Sequence, residues 1–333
     1  MDLTQLAGWV PIRLYWQDSR PMVDWCYLGT RQFHEPFFDE TIDQCLRQPF
    51  NMLFRHQTPV EVLSELQDAQ PGLPPNGFIF HMSRCGSTLI ARMLAALPQN
   101  IVISEADPID TVLRANHRDP RVTDDQRVVW LRGLVSALGR QRNPEQRNLF
   151  IKFDSWSVLD LPLVRRAFPA TPWLFVYRDP VEVLVSHALQ RGRQMLPGVL
   201  EPALLGLDPA EINPALLNEY CAKVLGCFCQ AAVQNDWPDT ARAVNYRGLP
   251  EEVWSSLAQF FGVCYTEEEV ERMRAVTPYH AKQPRFMFAE DSAAKQQLAS
   301  DEIRALAERF VRPWYDRLEA LSNPIGVPHA EEL

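Results

Sequence analysis

Two short segments of the chain combine an arginine with glycine or hydroxyl-bearing residues, a set that suits the binding of a phosphate or sulfate group. The first runs from Ser83 to Thr88, where Gly86 permits a tight turn and Arg84 supplies a cation. In the second, Arg178 precedes Asp179-Pro180, and Ser186 follows a few residues later. A guanidinium can hold a phosphate through two parallel hydrogen bonds. Structural roles stay open for both segments, namely a capped helix start with Arg84 at the surface and an Arg178 that forms a salt bridge. If both bind anions, the segments predict a ligand with two separated phosphate-like groups.

Ionisable residues also follow two other short apolar runs. Glu105 comes after Ile101–Ile103, and Lys152 and Asp154 lie at the end of Leu149–Phe153. A carboxylate in such a place can remove a proton from a hydroxyl group, and a lysine can stabilise developing negative charge. Structural roles remain open for both acids: Glu105 as a cap or loop carboxylate, and Asp154 as an N-cap or an ion-pair partner of Lys152.

The elements that must position these residues are short apolar strands that alternate with helical segments. This alternation favours βαβ units and a parallel sheet, in which ligands bind beyond the carboxyl ends of the strands. We therefore predict an α/β fold with a central parallel sheet flanked by helices, similar to P-loop NTPases. The predicted strands are Phe78–Met82, Ile101–Ile103, Leu149–Phe153, Trp173–Tyr177 and Ala241–Asn245.

We expect two regions along the chain. Residues 1–75 form an irregular, aromatic-rich lead-in that packs on the core, and a turn at Pro71–Gly77 separates it from an α/β domain over residues 76–333. Within that domain, a helical insert from about residue 190 to 218 is expected, and with the N-terminal region it forms a candidate acceptor pocket.

Composition limits the function classes. The 333 residues are 46% hydrophobic and 23% charged, which excludes a disordered chain and a small disulfide scaffold. The net charge of −9 gives no global reason to bind nucleic acid or an anionic membrane, so a bound anion needs a local site. We expect no membrane-spanning segment and no signal peptide, and the odd number of seven cysteines suits a reducing, cytoplasmic location.

The two arginine segments resemble the cofactor motifs of sulfotransferases that use 3′-phosphoadenosine-5′-phosphosulfate (PAPS). Phe80–Leu89 resembles the 5′-phosphosulfate loop, with Cys85 in place of the usual Ser and Ser87 in place of a Thr. Val176–Pro180 with Ser186 resembles the 3′-phosphate motif. Asn245–Pro250 resembles the later Tyr-Glu-x-Leu stretch, although Arg247 stands where Glu is commoner. The resemblance covers roughly residues 78–263.

This resemblance implies transfer of a sulfuryl group from PAPS to the hydroxyl of a small molecule, lipid or sugar, with 3′,5′-adenosine bisphosphate (PAP) as product. No metal is required. Tyr246 and Trp156 are candidates for the adenine slot, with a role as core aromatics as the alternative. In the family a basic segment near the C-terminus closes over the 3′ phosphate, and Lys282 or Arg285 would supply it here. The implied cofactor-binding residues are Arg84, Cys85, Gly86, Ser87, Thr88, Arg178, Ser186 and Tyr246.

The resemblance leaves two candidates for the catalytic base. Cytosolic sulfotransferases carry Lys-Thr-His after the third strand, so Lys152 keeps the lysine's role at the sulfonate and Asp154 stands where the histidine would be. Tyrosylprotein sulfotransferases use a Glu after the second strand, a place that Glu105 fits. The implied catalytic set is Glu105, Asp154, Lys152 and Arg84.

Two rival functions remain open at this point. A P-loop kinase or nucleotide hydrolase needs a Lys directly before the Ser or Thr of the loop, and here Gly86 precedes Ser87. It also needs an Asp for Mg²⁺, and none stands out. The other rival is a non-catalytic nucleotide-binding protein, which would bind PAP and transfer nothing. The sequence makes no prediction of oligomeric state.

Overall fold

The computed structural model describes residues 2–277, 279–280, 283–287 and 291–322 of the chain. For Glu211, 279–280 and 283–287 it describes the backbone alone. Of the two candidates for the basic C-terminal segment, Lys282 lies outside the described residues, and so does the side chain of Arg285.

Strands and helices alternate along most of the chain. The strands are β1 Trp9–Gln17, β2 Arg20–Tyr27, β3 His56–Pro59, β4 Pro75–His81, β5 Asn100–Ser104, β6 Asn148–Lys152, β7 Trp173–Tyr177, β8 Ala241–Asn245, β9 Tyr279–His280 and β10 Gln283–Met287. The α-helices are α1 Phe38–Leu46, α2 Pro49–Leu53, α3 Val62–Ala69, α4 Ser87–Ala95, α5 Asp107–Leu113, α6 Ala115–Arg118, α7 Asp124–Leu138, α8 Leu161–Ala167, α9 Pro180–Leu189, α10 Leu217–Gln234, α11 Glu251–Trp254, α12 Ser256–Phe260, α13 Glu267–Val276, α14 Ser292–Leu298, α15 Asp301–Phe310 and α16 Arg312–Ser322.

The central sheet has five strands in the order β5–β6–β4–β7–β8, and helices flank it. β6 pairs in parallel with both β4 and β5. Every residue of β5, β6 and β7 is buried, as expected for parallel strands covered on both faces. The predicted α/β class is therefore observed, and β7 and β8 have the predicted bounds.

The described residues form two compact units. The first comprises those within Met1–Phe80, Ser87–Trp173 and Pro250–Ala289. The second comprises those within His81–Gly86, Leu174–Leu249 and Glu290–Leu333.

The N-terminal region of the first unit is not irregular, which corrects that part of the prediction. β1 and β2 form an antiparallel hairpin, and β3 pairs with β2. The two turn residues, Asp18 and Ser19, have φ of 50° and 64°, as the tight turn of a two-residue hairpin requires. Pro11 and Pro21 lie inside the strands, where proline normally indicates a break. β1 also packs against α5 and α7 of the same unit.

In the second unit, α9 follows β7 and packs against α10, α14 and α15. The expected helical insert begins after α9 with three short 3-10 helices and then enters the long helix α10. Those 3-10 helices cover Arg193–Met195, Pro202–Leu205 and Pro209–Glu211. None of the helices described is long and apolar enough to cross a membrane.

Candidate anion-binding and catalytic residues

The turn between β4 and α4 has an unusual backbone. Ser83, Arg84 and Gly86 have φ of 81°, 52° and 89°, in the left-handed region. Two of these residues are not glycine, so the turn is strained and the surrounding contacts must hold it. The first N–H groups of a helix have no intrahelical acceptor. The turn and the start of α4 therefore carry main-chain donors and the positive end of a helix dipole, groups of the kind that bind anions.

Side chains around the turn fix its shape. Cys85 is fully buried, and its thiol donates a hydrogen bond to the Val176 carbonyl oxygen at 3.0 Å. Nε2 of Gln194 donates to Oγ of Ser83 at 3.1 Å. The Cys85 side chain is thus an anchor, and a ligand at the turn would meet its main chain.

The charged and hydroxyl side chains of the turn are partly enclosed. Ser87 and Thr88, the first two residues of α4, are 4% and 5% exposed. Nη2 of Arg84 donates to the main-chain oxygen of Gln190 at 2.6 Å, and burial lowers the pKa of this arginine. The partner of Arg84 in this hydrogen bond is a neutral carbonyl group, so the contact does not neutralise the positive charge of the guanidinium.

Arg178 lies directly after β7, and its guanidinium is buried. Asp179 caps α9 by accepting hydrogen bonds from the N–H groups of Val181 and Glu182. Nε of Arg178 donates to Glu182 at 2.6 Å, and Nη2 donates to Asp291 at 2.7 Å. Burial lowers the pKa of Arg178, but the hydrogen bonds to Asp291 and Glu182 outweigh burial, and the pKa is raised.

Asp291 and the start of α14 complete this charge network. Ser292 Oγ lies 3.1 Å from Nη2 of Arg178 and donates to Glu182 at 3.0 Å. Lys295, 8% exposed, forms an ion pair with Asp291 at 2.7 Å. Burial raises the pKa of Asp291, but the hydrogen bonds from Lys295 and Arg178 lower it overall. Because Asp291 lies more than a hundred residues from Arg178, sequence spacing gave no signal for it.

Tyr246 brings the two arginine segments of the second unit together. The Arg178 guanidinium lies 4.0 Å from the centroid of its ring. A Cβ added at Gly86 would lie 2.8 Å from Cδ2 of the same ring, so only glycine leaves room there. Ser186, the other predicted phosphate ligand, lies on α9 one turn beyond Glu182 and is not among the partners found for Arg178 in the described residues.

In the first unit, the structure joins Lys152 to Glu105. Lys152 ends β6 with its side chain completely buried, and its ammonium forms an ion pair with the Glu105 carboxylate. The Glu105 N–H donates to the Lys152 main-chain oxygen at 2.7 Å, and Glu105 has a strained φ of 54°. The Glu105 side chain keeps 23% of its surface exposed. In this ion pair, the Lys152 ammonium is buried and the Glu105 carboxylate is accessible to solvent.

Asp154 lies two residues after Lys152. One structural alternative for Asp154 is an ion pair with Lys152, and the two side chains do not form one. Asp154 stands at the N-cap position of the 3-10 helix Ser155–Asp160 without a capping side-chain hydrogen bond. Burial and the negative charges of Glu105 and Asp110 raise the pKa of Asp154 well above its ordinary value, against the opposing effect of Lys152. An acid in this state holds its proton more tightly than an ordinary aspartate.

Trp156, the second candidate for an adenine slot, belongs to the first unit. Its indole Nε1 donates to Asp110 at 2.5 Å, and the Arg114 guanidinium lies 5.5 Å from its ring centroid. These contacts give Trp156 a structural role in a polar cluster. Across the described residues, no group of three or more His, Cys, Asp or Glu side chains is arranged to hold a metal ion.

Among known proteins, the chain is similar to several solved structures. No family model and no curated protein matches the chain. The sulfotransferase domain of the Synechococcus PCC 7002 olefin synthase is 16% identical, with 78% of this chain and 98% of that domain covered and a TM-score of 0.43. Sulfotransferase STF9 from Mycobacterium avium is 15% identical, with 83% of each chain covered and a TM-score of 0.44. Both are sulfotransferases. Retinol dehydratase, solved with retinol and PAP, is 14% identical, with 81% of this chain and 89% of that chain covered and a TM-score of 0.35.

Proposed function

We propose that the protein is a sulfotransferase that moves the sulfuryl group of PAPS to an acceptor hydroxyl and releases PAP. The observation that carries the proposal is the turn between β4 and α4. Its left-handed residues and the helix start would form an anion site, and its cation, Arg84, is one of those left-handed residues and lies two positions before Gly86. A Walker loop instead has a lysine next to the hydroxyl residue of the helix, where this chain has Gly86.

The turn suits the 5′ side of the cofactor. We assign the 5′ phosphate to the main-chain N–H groups from Cys85 to Thr88 and to the Thr88 hydroxyl. Arg84 would stabilise the charge that builds on the bridging oxygen as the sulfuryl group leaves. Since its present partner is a main-chain carbonyl group, the guanidinium can change partners without leaving a buried charge unpaired.

The Arg178 segment suits the 3′ phosphate. Arg178 would hold this phosphate through its planar fork, with Ser186 as a second donor, and Tyr246 would contact the adenine. In the structure, the carboxylates of Glu182 and Asp291 accept from Arg178 the hydrogen bonds that the phosphate would accept. Binding therefore exchanges at least one carboxylate for the phosphate, and Asp291 is the more exposed of the two.

The proposed transfer breaks the bond between sulfur and the bridging oxygen of the 5′ phosphosulfate and forms a bond between sulfur and the acceptor oxygen. The bridging oxygen leaves with PAP, and the acceptor proton passes to a carboxylate of the protein. Lys152 would contact the sulfonate oxygens, whose charge grows in the transition state. No covalent intermediate with the protein is needed.

Glu105 is our choice for the base over Asp154. Its carboxylate is partly exposed, so an acceptor could reach it, and it lies beside the Lys152 ammonium that would contact the sulfonate. The acceptor class is the hydroxyl of a small molecule, lipid or sugar, and the seven thiols fit a cytoplasmic location.

Thermal denaturation with added nucleotides tests the proposal. A ligand that binds only the folded protein raises the melting temperature by mass action. We expect PAP and PAPS to raise it at micromolar to millimolar concentration, and ATP with Mg²⁺ to leave it unchanged. Stabilisation by ATP with Mg²⁺, and not by PAP or PAPS, would instead support a kinase or nucleotide hydrolase.

Transfer itself is tested with [³⁵S]PAPS and a panel of phenols, sterols and sugars. Label that appears in an acceptor, and disappears when Glu105 is replaced by Gln, supports the enzyme. PAP binding without transfer to any acceptor, and without PAPS breakdown, would identify a non-catalytic nucleotide-binding protein.

A further inference from the structure

The short helix α2 and the residue after it expose an unusual run of large apolar side chains. Phe50, Met52, Leu53 and Phe54 are 44%, 66%, 78% and 54% exposed. We call these four residues the α2 patch. Exposed apolar side chains are ordinary when they are scattered, but four within five positions form a continuous patch that indicates a binding surface.

Buried contacts on the inner side of α2 hold the patch in place. Asn51 is buried, and its side chain donates to the main-chain oxygens of Tyr27 at 2.8 Å and Cys45 at 2.9 Å. It also accepts a hydrogen bond from the Tyr27 N–H at 2.9 Å. The Phe50 ring lies 4.8 Å from both the Tyr27 ring and the Phe54 ring, centroid to centroid. The exposure of the patch is therefore a property of a fixed surface.

Two arginines flank the α2 patch. Arg47 precedes α2 and Arg55 follows Phe54, and both are exposed. Neither forms an ion pair with any carboxylate in the part of the chain that the structure describes. The acid closest along the chain is Asp43, four residues before Arg47 on α1. The local charge of the patch rim is thus positive in a chain whose net charge is −9.

We propose that the α2 patch docks the protein on a lipid bilayer that carries anionic phosphate headgroups. Apolar side chains flanked by arginines are the arrangement that suits this interface, because the apolar groups enter the acyl region while each guanidinium binds a phosphate. A two-fold contact between two copies would instead bring four such cations together, none of which has an ion pair within its own chain among the described residues. This inference stands independently of the proposed function.

Vesicle flotation tests the docking, with phosphatidylcholine alone and with phosphatidylcholine mixed with phosphatidylglycerol. We expect the protein to float with the mixed vesicles and to be released as salt rises, because exposed charges are screened. Leu53→Ser with Phe54→Ser should lower binding by about tenfold or more. Arg47→Gln with Arg55→Gln should lower binding to mixed vesicles by about tenfold and change binding to neutral vesicles little.

The matched control is Val129→Ser on α7 of the same unit, since Val129 is 47% exposed and lies outside the patch. This control should bind vesicles as the unmodified protein does. All variants should keep the melting temperature of the unmodified protein, because the changed side chains are exposed. Absence of flotation with either vesicle would overturn the proposal. So would light scattering that shows a dimer which Leu53→Ser with Phe54→Ser dissociates, since the patch would then join two copies.

Discussion

Nη2 of Arg178 donates a hydrogen bond to Oδ1 of Asp291 at 2.7 Å, and Lys295 binds the other oxygen of that carboxylate at 2.7 Å. The carboxylate thus sits between two buried cations, one of which is the arginine proposed to hold the 3′ phosphate. A bound phosphate must displace Asp291 or accept its negative charge as a close neighbour. The Asp291 carboxylate therefore competes with the proposed 3′ phosphate for Arg178.

Asp291→Asn should bind PAP more tightly than the unmodified protein. The substitution removes a negative charge beside the proposed phosphate, and about 1 kcal/mol from this source corresponds to about fivefold in affinity. Isothermal titration calorimetry measures the change. Asp316→Asn, which removes an exposed charge from α16 of the same unit, is the control and should leave the affinity unchanged. Unchanged or weaker binding by Asp291→Asn would show that the carboxylate does not compete.

Arg178→Lys should keep the fold and lose PAP affinity. Lysine retains the charge but not the planar fork, so we expect a loss of about tenfold to a hundredfold in affinity. Arg178→Ala is a poorer test, because it leaves the buried Glu182 carboxylate without its cation and should lower the free energy of unfolding by about 3–5 kcal/mol. A Lys variant that binds PAP normally would remove Arg178 from the proposed site.

The sequence predicts the strands of the central sheet because most of them are largely apolar runs, although β4 begins three residues before the predicted Phe78 and β8 contains Arg242. It fails for the N-terminal sheet, where Pro11 and Pro21 hide the strand pattern and the Asp-Ser turn is a weak hairpin signal. Glu105 is predicted from its place after a strand and Lys152 from its place at the end of one, but their ion pair depends on strand order. Asp291 is least predictable, since only tertiary structure brings it to Arg178.

Glu105→Gln should slow transfer strongly while leaving cofactor binding intact. A proton-accepting group contributes about a hundredfold to ten-thousandfold to rate, so kcat should fall within that range. The dissociation constant for PAP should stay within about threefold, since the product lacks the sulfonate near Lys152. Asp154→Asn is the matched comparison and should reduce kcat less. The opposite order of the two variants would assign the base to Asp154.

Asp154→Asn should change how stability depends on pH. The pKa of Asp154 is raised in the folded protein, so above its ordinary value of 3.8 the unfolded chain ionises first. Stability contributed by this group is therefore present at low pH and is lost as pH rises through the folded pKa. The melting temperature of Asp154→Asn should exceed that of the unmodified protein by a margin that grows from pH 4 to pH 8. Parallel melting curves over that range would show that Asp154 is not protonated in the folded state.

Gly86→Ala separates backbone strain from the shape of the proposed site. Its φ of 89° strains any residue with a side chain, and the added Cβ would lie 2.8 Å from both Tyr246 and Leu249. Gly198 has a similar φ of 85°, but no atom lies within 4 Å of an added Cβ. Both alanine variants should lose about 1–2 kcal/mol of unfolding free energy from the left-handed backbone. Only Gly86→Ala should also weaken PAP binding, because the turn and the Tyr246 ring must move apart. Equal PAP affinity in the two variants, measured by calorimetry beside chemical denaturation, would separate this turn from the nucleotide.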